Sequence, residues 1–540
     1  MGYDDVISHL GEFGPYQRKI FLVIYLPMVS CAFHLMGGTY LAGRPEFRCL
    51  MPEENPDNVT YEENTTHPIW DNDTGTWTRC KRYDLNYQIL NDKGSSENLS
   101  LTPPLVECDS FVYDESQYGF TVSTKWNLVC NDAWLKPTSE SLFMVGVFFG
   151  VLVLGGLSDE YGRKTILIWG SVLQLVSSLL VAAAYNMPMY IVCRMILATT
   201  TNGLFVVSYV TAIETIGQRT RKPAALGNLF FIIGSILTVC FAYFIRNWRI
   251  LQIAFTIPTL VLLVFIWHVP ESARWLMTKG RLDEAKDVLH KASVVNKVEL
   301  PRDALNNLLK TDNDNGETRS IEKTSIIDLL RYPIIRKKSL ILFFVWFVNN
   351  ATYYGLSWNT ANLDGNVYVT SGIAAAVEVP AFMIMISTID KCPRRVVLCC
   401  CMLLAGTSLV STLLVPNDVS WPIISLAMIG KLSSAASYTT LYVFTSEQYP
   451  TTIRNVGVGA CSAVARIAGV VTPQINNLSE ISVTLPLVIF GCGSLMAGLL
   501  LLLLPETANK KLPETIEELE NFKKSESGKW TIQKFKICKS

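Results

Sequence analysis

Charge is what this chain has least of. Asp, Glu, Lys and Arg make up 17% of its 540 residues, where soluble globular proteins hold about a quarter. A deficit of that size excludes an ordinary water-soluble fold. Also missing are a phosphate-binding glycine loop, a metal-ligand cluster and a hydrolytic motif in a credible setting. No enzyme activity, cofactor, metal or nucleic-acid partner is therefore expected. Asp4, Asp5 and Glu12 replace the basic start that a cleavable signal needs, so none is expected. Val6 occupies the position where myristoylation needs Ser or Thr.

What the chain does have is apolar runs. Half of its residues are hydrophobic, gathered into stretches of about 20, the length that crosses a ~30 Å hydrocarbon layer as helix. Twelve membrane spans are predicted: Ile20 to Ala42, Thr138 to Leu157, Thr165 to Tyr185, Met189 to Thr211, Ala224 to Ile245, Leu251 to Val269, Leu340 to Leu356, Val367 to Ile389, Val396 to Val415, Ile423 to Phe444, Val456 to Ile475 and Leu485 to Leu504. An even number puts both termini on one side of the lipid bilayer.

Short cytoplasmic connectors hold Lys and Arg in excess. The connectors after spans 2, 4, 8 and 10 carry Arg163 and Lys164; Arg219, Arg221 and Lys222; Lys391, Arg394 and Arg395; and Arg454. Those ends and both termini are expected inside, at a plasma membrane. The chain then divides into a cytoplasmic start (1–19), a first span (20–43), an outer loop (44–137), spans two to six (138–269), a cytoplasmic middle segment (270–338), spans seven to twelve (339–504) and a cytoplasmic tail (505–540). The outer loop has 16 acidic against 8 basic residues and four of the six Asn-X-Ser/Thr sites, at Asn58, Asn64, Asn72 and Asn98, where glycans can be added. It also holds Cys49, Cys80, Cys108 and Cys130, which predict two disulfides in one of three connectivities.

The connectors repeat. Asp159 with Arg163 and Lys164 returns as Asp390 with Arg394 and Arg395, offset by 231; Glu214 with Arg221 returns as Glu447 with Arg454, offset by 233; and "PES" at Pro270 returns as "PET" at Pro505, offset by 235. The expected fold is thus an all-α membrane protein of twelve transmembrane helices in two pseudo-symmetric six-helix bundles, with a large extracellular loop. Parallel repeats of this kind place a substrate site at their interface and rock around it.

"GGLSDEYGRKTIL" resembles the signature of the major facilitator superfamily. "PESARWL" and "PETANKKL" are similar to the branches that include sugar and organic-ion carriers. "HLGEFGPYQ", the long cysteine-bearing outer loop and "YYGLSW" in span 7 resemble the organic cation, anion and carnitine transporter family, with the start "MGYDDVI" similar to its insect members. The resemblance covers essentially the whole chain and implies alternating-access transport of a small organic ion.

The charged connectors read as a conformational latch. Gly162 permits a tight reversal, Asp159 can face a helix N-terminus of the other half or nearby arginines, Arg163 can reach Glu214, and Arg221 can reach Glu271. Such a network would close beneath the halves and hold the outward-open state; the plainer alternative is that these charges only fix topology. Two departures from the family pattern stand out: Glu160 where a base is usual, and Pro393 in place of the glycine in the second copy.

Ionisable residues inside spans are costly facing lipid and so mark a cavity by default. They are His34, Arg194, Glu378, Lys431 and Arg466. Glu378 lies twelve residues before Asp390 and Arg466 twelve after Arg454, so both sit about 18 Å from the cytoplasmic end. The resemblance implies substrate-side roles for both. An arginine in span 11 is similar to the anion and carnitine branches, whereas cation carriers have aspartate. Arg466 either holds a substrate carboxylate or pairs with Glu378, and a zwitterion would use both. Trp346 and Tyr353 share a face of span 7, and the resemblance adds Tyr354, Tyr438, Phe205 and Tyr209 as an aromatic border that would favour a cation. His34 either lines the cavity or bonds a backbone carbonyl. Lys431 and Arg194 either guide ions at the outer mouth or reach out to headgroups, the second being expected for Arg194. The expected cargo is a small organic cation or a carnitine-like zwitterion, with a coupling ion or exchange needed only to concentrate the latter. The alternatives are an organic anion carrier, a sugar carrier and a non-transporting receptor.

Overall fold

The computed structural model describes residues 6–7, 9–11, 13–51, 54, 61, 69–71, 76–83, 105–216, 221–298, 326–359, 365–388, 391–416 and 419–507. Asn58, Asn64, Asn72, Asn98 and Asp390 lie outside the described residues, as does the tail beyond 507, and the side chain of Arg221 is likewise not described.

Among the described residues twelve long helices follow one another: α1 (Pro15–Leu41), α2 (Leu135–Tyr161), α3 (Arg163–Ala182), α4 (Met187–Thr215), α5 (Arg221–Phe244), α6 (Trp248–His268), α7 (Pro333–Asn359), α8 (Val367–Thr388), α9 (Arg394–Leu414), α10 (Ser420–Gln448), α11 (Arg454–Asn477) and α12 (Leu485–Leu501). Among the described residues ten helices are long and apolar enough to cross a membrane. α12 is shorter at 17 residues, and α10 is 29 residues long but more polar, with Lys431 amid serines and threonines. Several helices outrun their apolar runs; α7 begins at Pro333 rather than Leu340, because proline suits a first helical turn.

Packing repeats with a shift of six helices. α1 lies against α4 and α5, α2 against α4, and α3 against α4 and α6; α7 lies against α10 and α11, α8 against α10, and α9 against α10 and α12. Between the bundles the same symmetry holds, with α2 on α11 and α5 on α8. Small residues bring the helices close: a Cβ on Gly146 or Gly150 would collide with the α4 backbone at Met195 or Thr199.

The loop between α1 and α2 caps one face of the molecule. It is closed by two interleaved disulfides, Cys49–Cys108 and Cys80–Cys130, and contains three two-stranded antiparallel ladders: Phe47–Cys49 with Phe111–Tyr113, Ile69–Asp71 with Thr76–Thr78, and Lys81–Tyr83 with Leu105–Glu107. Arg48 grips Glu54 through two bonds of 2.7 and 2.8 Å; that bonding holds the Glu54 carboxyl below its ordinary range. Gln117 clasps the loop to the second bundle, donating to the Gly365 carbonyl at 3.3 Å and accepting from Val367 N at 3.0 Å. Arg246, at the α5–α6 turn, donates to the neighbouring Ser116 carbonyl at 3.0 Å, so one strand of loop touches both bundles.

On this loop face the bundles meet. Ser141 Oγ of α2 donates to the Val470 carbonyl of α11 at 2.8 Å, Trp358 Nε1 of α7 donates to the Leu35 carbonyl of α1 at 3.3 Å, and Tyr40 stacks on Tyr368 at 5.8 Å. Arg44 pairs with Glu480 above them. Toward the opposite face α2 and α11 part. Gly155 lies eleven residues from Met144, and Gly459 eleven from Val470, each close to three full turns and so on the same helix face; neither glycine has a heavy atom within 4 Å of its would-be Cβ. The bundles thus form a V, joined at the loop face and open at the other.

The helix Leu282–Asn296 fills most of the amphipathic stretch Arg281 to Lys297. Asn296 donates to the Leu10 carbonyl and to Gln17 Oε1 and accepts from Tyr16 N, all at 2.9 Å. It anchors the middle segment to the first bundle. The V makes a cross-linking prediction: Ser141→Cys with Val470→Cys should form a disulfide under mild oxidation, whereas Gly155→Cys with Gly459→Cys should stay reduced and react with a bulky maleimide, each read as a gel shift.

Candidate functional site

Glu378 owes its position to a break in its helix. Val367–Ala376 and Glu378–Thr388 are separate helical segments meeting at Val377, and Pro380 cannot supply a backbone N–H to the ladder. Glu378 therefore sits in the first turn of the second segment, where the helix dipole favours a carboxylate. Its partner is Lys431 of α10: Nζ lies 2.8 Å from Glu378 Oε1, and the two side chains are 2% and 8% exposed. Tyr353 of α7 donates its hydroxyl to the same oxygen at 2.9 Å. The Lys431 ammonium also donates to Ser357 Oγ and to the Tyr353 carbonyl, and lies 3.5 Å from the Tyr353 ring centre.

This arrangement corrects two expectations. Glu378 pairs with Lys431, not Arg466, and Lys431 neither guards an outer mouth nor reaches toward headgroups. Residue counting put it about one turn above Glu378, an offset that a four-carbon stem spans. Arg466 is half-buried and turned back along its own helix, Nη1 donating to the Ser462 carbonyl at 2.7 Å and to Ser462 Oγ, while Nε is buried with no acceptor.

Aromatic rings line the same level. Tyr353 contacts Tyr354 at 5.2 Å and Tyr438 at 5.5 Å; Tyr354 stacks on Trp358 at 5.3 Å; Tyr442 meets Tyr438 at 5.8 Å and Trp346 at 4.5 Å. Trp346 is fully buried and donates to Thr445 Oγ1 at 2.9 Å, so it supports the ladder from behind. Phe205 meets Phe231 of the first bundle at 6.4 Å, and Phe231, Tyr354 and Trp358 each pack against one buried cluster that includes Leu35 and Phe143. Tyr209 is 40% exposed, one turn beyond. Trp358, Tyr442, Phe231 and Ser357 were not singled out from sequence. The spacing of Trp358, four residues after Tyr354 on one helix face, could have flagged it.

Of two first-bundle residues, Arg194 differs from expectation and His34 loses one of its two alternatives. Arg194 is 4% exposed, donates to Tyr190 OH at 3.0 Å and covers the Phe143 ring at 4.9 Å, so it does not reach for headgroups. His34 is buried, and neither ring nitrogen has a hydrogen-bond partner, so it bonds no carbonyl.

At the open face the connector charges form two matching clusters. Arg163 pairs with Glu214 at 3.0 Å and with Asp159 at 2.5 Å, and Glu271 accepts the backbone N–H groups of Arg163 and Lys164 at 2.9 and 3.1 Å. Gly162, with φ +104°, turns the chain so that these donors point at Glu271. In the second bundle Arg394 pairs with Glu447 at 2.5 Å, and Glu506 accepts from Arg395 N at 3.1 Å. Glu506 was missed, although its offset from Glu271 is the 235 already noted between Pro270 and Pro505. Among the described residues each of these pairs lies within one bundle, and none joins the two halves at this face. Glu271 accepts backbone donors, the side chain of Arg221 being outside the described residues, and Arg454 has Nε and Nη2 buried without partners.

Paired six-helix bundles meeting around a buried charged and aromatic layer define a carrier of the major facilitator fold. Solved structures agree: the inward open xylose transporter XylE from E. coli has a TM-score of 0.59 at 17% identity, covering 94% of this chain and 100% of that one. Residues 109–519 match the model of the family described as sugar (and other) transporter. Two relatives share most of the chain: the organic cation transporter protein of Drosophila melanogaster, 46% identical over 99% of this chain and 97% of its own, and organic cation/carnitine transporter 2 of Mus musculus, 32% identical over 98% and 96%. The chain belongs to the organic cation, anion and carnitine transporter family, a family of carriers rather than enzymes.

Removing one partner of a buried ion pair strands the other. Lys431→Met and Glu378→Gln should each destabilise the protein by roughly 3–5 kcal/mol, and the double variant should regain most of that, as read by thermal unfolding in detergent.

Proposed function

We propose that the chain carries small organic cations and zwitterions that join an ammonium to a carboxylate across the plasma membrane by alternating access. The observation that carries this reading is Glu378 set beside the tyrosine ladder of the second bundle, with Arg466 near Tyr354 and Tyr438 of that ladder. A carboxylate and ring faces suit an ammonium, and the undonated Arg466 Nε suits a carboxylate. The names of the two relatives, organic cation and organic cation/carnitine, support the same chemistry. A second reading, an organic anion carrier, is favoured by one observation: Lys431 offsets Glu378, leaving the layer with the charge of Arg466.

The loop face is taken as extracellular and both termini as cytoplasmic, because the basic connectors gather at the open face. In that orientation the V opens to the cytoplasm. A monovalent cation then gains about 2.3 kcal/mol per 100 mV of negative inside potential, while a zwitterion gains nothing, so that concentrating one, unlike its downhill entry, needs an ion gradient or exchange. The connector clusters brace the helix ends of each bundle in this state, each good charge-assisted bond contributing about 1.5–3 kcal/mol.

Uptake of radiolabelled choline, carnitine and a small aryl carboxylate, compared in wild type and Arg466→Asp, tests the assignment. Wild type should take up carnitine, and Arg466→Asp should lower carnitine uptake at least tenfold while leaving choline the better cargo. Identical preferences in the two proteins would remove Arg466 from the site, carboxylate-only uptake by wild type would favour the anion reading, and uptake of none would favour a non-transporting role.

A further inference from the structure

Lys431 occupies the place that a cargo ammonium would take. Its Nζ is held by the Glu378 carboxylate at 2.8 Å and by the Tyr353 ring at 3.5 Å, the same pair of features that would attract a substrate cation. Ser357 Oγ and the Tyr353 carbonyl engage that nitrogen from a second side. Lys431 can therefore release Glu378 and still keep acceptors.

The internal repeat says what the pair is not for. Subtracting the offsets, 378 − 231 = 147 and 431 − 233 = 198, gives the equivalent residues Val147 on α2 and Ala198 on α4. Those two pack in one apolar cluster. The same helix–helix contact is thus built without charge in the first bundle, and the fold does not require an ion pair there.

We infer that Lys431 is a tethered stand-in cation, which compensates Glu378 when the site is empty and so lets the carrier reorient without cargo. The inference rests on the cation and zwitterion reading above. During reorientation the layer is closed from water on both sides, and an unpaired carboxylate there would oppose closure. With cargo bound, the cargo ammonium takes Glu378 and Lys431 stays on Ser357 and the Tyr353 carbonyl. Without cargo, Lys431 takes its place. Net uptake follows, rather than obligatory one-for-one exchange.

Proteoliposomes holding the full chain give two rates with radiolabelled carnitine: entry into vesicles free of carnitine, which needs the empty carrier to return, and exchange against internal unlabelled carnitine, which does not. Lys431→Met and Lys431→Gln should lower the ratio of net entry to exchange at least tenfold, and Lys431→Arg should keep the wild-type ratio. An unchanged ratio, or equal loss of both rates, in Lys431→Met and Lys431→Gln would overturn the inference. Absence of both rates in wild type would instead overturn the transport reading, and the inference with it.

Discussion

A carboxylate inside a membrane protein needs a cation close at hand, and the Glu378–Lys431 pair is where this structure meets that need. The pair ties α8 to α10 across the break at Val377, and Tyr353 extends the tie to α7. The tyrosine ladder is ordered by the same contacts, since Tyr353 touches both Tyr354 and Tyr438. The pair and Tyr353 thus link three helices of the second half at one point. The first half faces no such demand at the equivalent positions and uses valine and alanine.

That asymmetry sits within a strong repetition. The connector clusters follow one plan: an arginine on a glutamate from the end of the next long helix, and a second glutamate receiving backbone N–H groups at the start of the following helix. Arg163, Glu214 and Glu271 become Arg394, Glu447 and Glu506. The plan tolerates the change from Gly162 to Pro393, whose φ is −60°. Arg395 N still reaches Glu506, so a left-handed residue is one way to aim the donors and not a requirement.

Much of the fold was legible because lipid imposes it. Spans of fixed length, basic connectors and a repeat at offsets of 231, 233 and 235 give twelve helices in two halves without any tertiary information. Four loop cysteines announced two bridges, though only coordinates show them interleaved. The site was legible as a set of residues and not as a set of partners. Counting along a helix fixes depth to about a turn, which cannot say whether Glu378 meets Lys431 or Arg466, because long basic side chains cover that distance. Arg194 was misread for a related reason: its choice of the Phe143 ring and Tyr190 over headgroups depends on which neighbours α2 and α4 bring together. The partner of Arg221 lies outside the described residues, while the Glu271 oxygens receive backbone N–H groups, which sequence gives no means of knowing.

The V formed by α2 and α11 has a mechanical consequence. With the fulcrum near Met144 and Gly469 and about 16 Å of rigid helix beyond it, the arms work as a lever: a rotation that scarcely disturbs the fulcrum sweeps the tips at Gly155 and Gly459 through several ångströms. Under the proposed alternating access, an object wedged between the tips would stall the swing from outside the Glu378 layer, so a blocker of this protein need not resemble anything the protein carries.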